Sequence, residues 1–169
     1  YVCATTDSDS PTVIDLISAP AADLSVAGRL DKDTTGLVLL SNDGQWLHRV
    51  ISPRSECVKV YHATLDAPLT DEIVQAFAQG VQLKNESRPT LPATVSSLTE
   101  NQVRVAISEG RYHQVRRMFA ACGRHVVALH RVSIGSIELD PALAPGQYRA
   151  LSTTEIDSMT VSARQQEPS

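Results

Sequence analysis

Three cysteines in 169 residues (Cys3, Cys57, Cys122), widely spaced and with no CxxC pair, are too few for a disulfide frame or a thiolate zinc site. They read as reduced cytosolic thiols. No apolar run approaches the roughly 20 residues that a membrane helix requires. The longest conspicuous one, Leu37 to Leu40, has the length of a strand. The sequence shows no signal peptide, no internal repeat, no low-complexity block and no glycine loop of the kind that cradles phosphates. It opens at Tyr1 rather than Met, so residues ahead of it are expected. With 42% apolar and 20% charged residues, the chain has an ordinary composition for a folded soluble domain, which excludes wholesale disorder.

The net charge of −4 does not point to a polyanionic partner, but its distribution is uneven. Between Arg104 and Arg131 lie six arginines and three histidines against a single acid, Glu109, whereas residues 132–169 carry five acids and two arginines. Distant acids are screened beyond a Debye length of about 8 Å, so this local basic field can attract phosphates on an acidic protein. A solvated arginine-rich helix face has the same composition.

The local patterning predicts an α+β fold with a largely antiparallel sheet, because strands and helices mix without a βαβ rhythm. Tyr1–Thr6 is strand-like and Thr12–Ser18 reads as a short helix. Gly36–Leu40 reads as one buried strand. Trp46, Leu47 and Val50 give the following helix its apolar side until Pro53 ends it. Val58–Leu65 alternates as a strand, with Tyr61, Ala63 and Leu65 on one face. Thr70 caps a helix over Asp71–Gln79, with Gly80 at its far end. Val95–Leu98 and Val103–Ile107 form a hairpin, and Val126–Ile134 is a further strand. Ser152 and Glu155 have capping-box spacing, so a last helix starts there and runs into a polar, disordered tail. One domain is expected over residues 1–157, as two lobes sharing one sheet, and the end of the last helix with the tail over 158–169.

Two segments carry chemistry. Ser108–Gly123 reads as an amphipathic helix whose stripe is Val115, Met118, Phe119 and Cys122. Arg117 and His113 point away from the stripe, and Arg116 lies at its edge with its stem packed and its guanidinium free to reach a cleft. In the other segment Asp31 and Asp33 flank Lys32 just ahead of the apolar run. A turn built on Asp side chains, a divalent-cation pair and a lone carboxylate at the mouth of a sheet are all compatible with that spacing. A calcium loop is not, since its twelfth position is Asn42.

Gly28-Arg29-Leu30-Asp31-Lys32-Asp33-Thr34-Thr35-Gly36-Leu37, then Lys59-Val60-Tyr61, then Glu109-Gly110-Arg111-Tyr112-His113-Gln114-Val115-Arg116-Arg117-Met118 together resemble the pseudouridine synthases. The wording is nearest the bacterial RsuA branch, which acts on 16S (small-subunit) ribosomal RNA. The resemblance extends from Tyr1 to about Ile156. It implies a central mixed, mostly antiparallel sheet flanked by helices, with the active site in a central cleft. It implies that Asp31 is the catalytic aspartate, that Tyr61 packs against the target base and that Arg116 pairs with the catalytic carboxylate. Arg29 matches the position that reaches into the space left by a flipped nucleotide. Lys32, Arg111, His113 and Arg117 are assigned to phosphate and sugar contacts. An arginine beside a nucleophilic carboxylate favours its charged form and offers a fork geometry that lysine lacks.

The implied reaction is redox-neutral and uses no cofactor and no metal. The implied partner is ribosomal RNA, bare or partly assembled with ribosomal proteins, for a cytoplasmic monomer with no membrane association. Members of this branch carry an S4-type RNA-binding domain ahead of the catalytic domain, and the chain is expected to be the catalytic domain without it. A non-catalytic RNA-binding or ribosome-assembly module is the competing reading, and a hydrolase using a metal on Asp31 and Asp33 is a third.

Overall fold

A computed structural model describes residues 24–51 and 57–165. The readings of Tyr1–Thr6, Thr12–Ser18 and Pro53 fall outside them. Twelve elements follow in order: β1 (Ser25–Ala27), β2 (Thr34–Gly36), β3 (Leu39–Ser41), α1 (Gly44–Ile51), β4 (Lys59–Leu65), α2 (Asp71–Gln79), β5 (Thr94–Ser97), β6 (Gln102–Ile107), α3 (Gln114–Ala121), β7 (Val126–Ile134), β8 (Ile137–Glu138) and α4 (Thr153–Gln165). The larger sheet has strand order β2-β7-β4-β6-β5, with β8 beside β7; β1 and β3 form a separate ribbon. Only β2 and β7 run parallel among these pairs, so the sheet is mixed and mostly antiparallel, as the α+β expectation has it.

Alternation along β4, β6 and β7 puts one face of the sheet in the core. Tyr61, Ala63, Leu65, Val103, Val105, Ile107, Val126 and Leu129 pack there against Ile73 and Phe77 of α2 and Val115, Met118 and Phe119 of α3. Phe77 and Phe119 join the two helices through a tilted ring pair, centroids 4.8 Å apart. A second core gathers Ala27, Leu37, Leu39, Trp46, Leu47, Val50, Ile134, Ile137 and Met159. It ties the β1–β3 ribbon and α1 to α4 and to the end of β7.

The caps follow the sequence. Thr70 accepts from the Ile73 N–H at the start of α2. Ser152 and Glu155 exchange reciprocal bonds of 2.9 and 3.1 Å.

Two expectations are corrected. The apolar run Gly36–Leu40 is not one strand: it breaks after Gly36, and its two parts pair in different sheets, β2 with β7 and β3 with β1. The cause is the close approach at Gly36 described below. The amphipathic helix begins at Gln114, not near Ser108, because His113 sits in the left-handed region (φ 49°, ψ 37°) and interrupts the helical path. The apolar stripe lies where its periodicity put it, with Val115, Met118 and Phe119 buried.

Candidate active site

The segment between β1 and β2 is short, polar and pinned at both ends by one side chain. Arg131, on β7, is fully buried. Its Nε donates to the Leu37 carbonyl at 2.9 Å and its Nη2 to the same oxygen at 2.7 Å. Nη2 also donates to the Gly28 carbonyl. The Leu37 N–H donates back to the Arg131 carbonyl at 2.9 Å.

The two glycines of the block are explained by this clamp. At Gly36 (φ +116°) a Cβ would lie 2.2 Å from the Arg131 carbonyl oxygen, which leaves no room for any side chain. Gly28 (φ +69°) would place its Cβ 3.4 Å from the Arg131 Nη1. The chain therefore passes directly over Arg131 at both ends of the loop.

Asp31 stands inside that loop. Its carbonyl accepts from the Thr34 N–H at 3.0 Å, closing a turn at whose tip Lys32 and Asp33 are exposed. Its carboxylate is one-third exposed, and its Oδ1 lies 3.3 Å from Nε2 of His113. The left-handed backbone of His113, immediately before α3, swings the imidazole out to meet the carboxylate. Thr34 is buried with a hydroxyl that has no hydrogen-bond partner among the described residues.

Arg116 does not pair with Asp31. Its Nη1 donates to the Val126 carbonyl at 3.0 Å and its Nη2 to the Asp33 carbonyl at 3.1 Å. The guanidinium bridges β7 to the turn that carries Asp31, holding backbone rather than carboxylate. The expected geometry is corrected accordingly: the cationic side chain reaches the right loop, but a carbonyl two residues from Asp31 competes for it, and His113 occupies the place beside the carboxylate.

Arg111 and Arg117 are likewise committed to the protein. Arg111 donates to Glu109 (3.1 Å) and to the carbonyls of Arg88 and Pro89. Arg117 donates to Glu86 (3.1 Å) and to the carbonyls of Tyr112 and Lys84. Both were expected to face phosphates; within the protein they staple the segment before β5 to α3, where carbonyls need donors. Arg29 and Lys32 are exposed on either side of Asp31 and make no bond to the described residues. Along the outer side of α3, His113, Arg116, Arg117, Ala120, Arg124, His125 and Val126 line an open groove of about 240 Å³. No acid lines it.

Tyr61 is buried at 9% exposure on the core face of β4, directly across the sheet from Arg131. Its hydroxyl has no partner among the described residues, yet it is not sealed from solvent. Lys59, two residues earlier, is also buried. Burial pushes its amine below the usual lysine range, against opposing pulls from Cys57 and Glu109, with Arg131 pushing the same way as burial. A Cβ on Gly110 would stand 3.6 Å from its Nζ. Lys59, Tyr61 and Arg131 thus bring three polar side chains into the buried part of neighbouring strands β4 and β7.

Lys59 and Tyr112 carried no role in the sequence reading, and Arg131, grouped there with the arginines facing phosphates, is instead buried. Arg131 sat among six arginines, and only its in-facing register on a strand distinguished it. Lys59 was quoted in the motif but carried no role. Tyr112 is 75% exposed and stacks on His113, with centroids 3.8 Å apart and planes at 16°.

A family model described as RNA pseudouridylate synthase matches residues 18–121. The chain is 57% identical over 160 residues to the ribosomal small subunit pseudouridine synthase A of Escherichia coli K12, covering 94% of this chain and 69% of that protein. The protein of the same name from Haemophilus influenzae is 49% identical, over 94% of this chain and 68% of its own. A crystal structure of a pseudouridylate synthase superposes with a TM-score of 0.89 at 48% identity, covering 94% of this chain and 68% of that one. Motif blocks, fold and relatives agree, and the chain belongs to the RNA pseudouridylate synthase family.

Proposed function

We propose that this chain isomerises a uridine of small-subunit ribosomal RNA to pseudouridine, with Asp31 as the catalytic carboxylate. The observation that carries the reading is the placement of Asp31: one-third exposed, within a loop clamped at both ends by a buried guanidinium, with its oxygen 3.3 Å from an imidazole. A reacting group held this way loses little orientational freedom when the substrate arrives.

The reaction breaks the bond from ribose C1′ to N1, turns the uracil and joins C1′ to C5. The proton on C5 is released and N1 ends protonated, so the net change is an isomerisation without redox chemistry. A carboxylate suits it as nucleophile or base, since it can form and release an adduct at carbon. Extruding the base from its stack costs a few kcal/mol. Apolar contact with the part of Tyr61 that reaches solvent offsets part of this. In this reading Arg116 is a positioning residue, fixing the Asp33 carbonyl and with it the turn that presents Asp31. His113 orients the carboxylate. Arg29, Lys32 and the groove beside α3 attract the phosphates on either side of the flipped nucleotide, while Arg111 and Arg117 add positive field from fixed positions. The names of the relatives support ribosomal RNA as substrate. We place the chain in the cytoplasm as a monomer, acting on that RNA bare or partly assembled with ribosomal proteins.

The test is pseudouridine mapping in small-subunit RNA from cells lacking the protein. One uridine should lose its modification and regain it when the wild-type gene, but not Asp31→Asn, is restored. Restoration by Asp31→Asn would favour a non-catalytic RNA-binding role instead.

A further inference from the structure

Tyr112 is the most exposed of the large apolar side chains among the described residues. An exposed ring alone signifies little. This one is built in. One face lies flat on the imidazole of His113, and that imidazole reaches the Asp31 carboxylate. The Tyr112 carbonyl is held by Arg117 Nη1 at 3.0 Å, and the His113 carbonyl accepts from the Arg117 N–H at 2.9 Å. Just upstream, the Arg111 N–H donates to Gln114 Oε1 at 3.0 Å, and the Gln114 N–H donates to the Arg111 carbonyl at 3.1 Å. The left-handed conformation of His113 costs a non-glycine residue on the order of 1–3 kcal/mol, and such strain persists only where the surrounding structure over-determines it. Here the surrounding bonds fix two stacked rings beside the catalytic carboxylate, with the outer face of the tyrosine open.

We infer that the Tyr112–His113 stack is a nucleobase platform: the open face of Tyr112 receives a base of the RNA next to the flipped uridine. The platform rests on the pseudouridine-synthase reading and adds a binding site to it. Extruding one base leaves its neighbours without a stacking partner, and an exposed phenol ring at the mouth of the site supplies one. Stacking of this kind tolerates any base, because every base offers a π-face. The platform therefore contributes affinity and register for the strand rather than sequence choice. It also couples the strand to the chemistry, since the ring beneath the bound base lies on the imidazole that orients Asp31.

The experiment measures tritium release from small-subunit ribosomal RNA transcribed with [5-³H]uridine, because the C5 hydrogen leaves once per pseudouridine formed. It compares the wild-type chain with Tyr112→Leu and Tyr112→Phe. Tyr112→Leu should lower kcat/KM on the order of tenfold, while Tyr112→Phe, which keeps the ring, should stay within about twofold. The slope of log kcat/KM against log salt should be the same for all three, since no charged group is altered. Thermal midpoints should coincide, because the side chain is exposed. Equal kcat/KM for Tyr112→Leu and wild type would overturn the platform and leave the enzyme reading standing. So would a fall in Tyr112→Leu matched by a lowered thermal midpoint, or by a change in oligomeric state in sedimentation. A wild-type chain that releases no tritium would instead remove the enzyme reading, and the platform with it.

Discussion

Arg131 shows how one buried side chain determines the shape of the loop that carries Asp31. Its guanidinium satisfies the carbonyls of Gly28 and Leu37, the residues at the two ends of the loop that carries Asp31. Arg131→Met should leave the buried Leu37 carbonyl without its side-chain donor, at about 1–3 kcal/mol, and the half-buried Gly28 carbonyl at a smaller cost, measurable as a lowered denaturant midpoint. Activity should fall further than stability alone explains, because the loop loses its anchor; Arg131→Lys should recover part of the stability but little of the activity, lacking the fork that reaches two carbonyls. Gly36→Ala is the complementary test. With a Cβ 2.2 Å from a backbone oxygen and φ at +116°, it should destabilise by at least about 3 kcal/mol in the same denaturation assay. The glycines of the motif were legible in the sequence as letters of a signature. Their physical reason was not, because the group they make room for lies on β7, about a hundred residues downstream.

At the scale of elements, what was legible is what local patterning determines. Alternation located β4, β5, β6 and β7 to within a residue or two, and the 3.6-residue period located the buried stripe of α3. The breaks were not legible. A left-handed His113 and a sheet change after Gly36 both answer to tertiary packing, and local propensity carries no trace of them. The pairing of Arg116 failed for a similar reason: a sequence places a guanidinium on a helix edge but does not show which of several acceptors within its reach it takes.

The capping box of α4 was readable, and it gives a prediction in pH. Hydrogen bonds from Arg149, and then from the Ser152 backbone, hold the Glu155 carboxyl down at about 2. Its depressed value means that the cap's contribution is fully present above the ordinary carboxylate value of 4.5 and is lost as the pH falls towards 2. The protection of amides at the start of α4, taken relative to the intrinsic rate of a free peptide at each pH, should therefore fall as the pH is lowered through this window. Glu155→Gln should show faster exchange at neutral pH and no such transition.

For the molecule as a whole, the sum of charges is the least informative number. The chain carries −4 overall, yet among the described residues Arg29 and Lys32 stand unpaired beside Asp31, and an acid-free groove runs along α3. Several arginines that make the stretch from 104 to 131 look basic also donate to carbonyls and glutamates, so composition alone does not show which of them are free to meet a phosphate. RNA affinity should fall with rising salt. Replacing Arg29 and Lys32 by Ala should flatten the log–log salt dependence by about 0.7 for each phosphate no longer neutralised on single-stranded RNA, as read by filter binding.

The clamp, the turn and the imidazole all converge on the Asp31 carboxylate, so the decisive measurement is single-turnover tritium release from [5-³H]uridine-labelled small-subunit RNA by wild-type and Asp31→Asn protein. The wild type should release tritium stoichiometrically and Asp31→Asn none above background, with the two proteins unfolding at the same temperature and binding the RNA alike. Release by Asp31→Asn at a rate comparable to the wild type would contradict the catalytic role of that carboxylate.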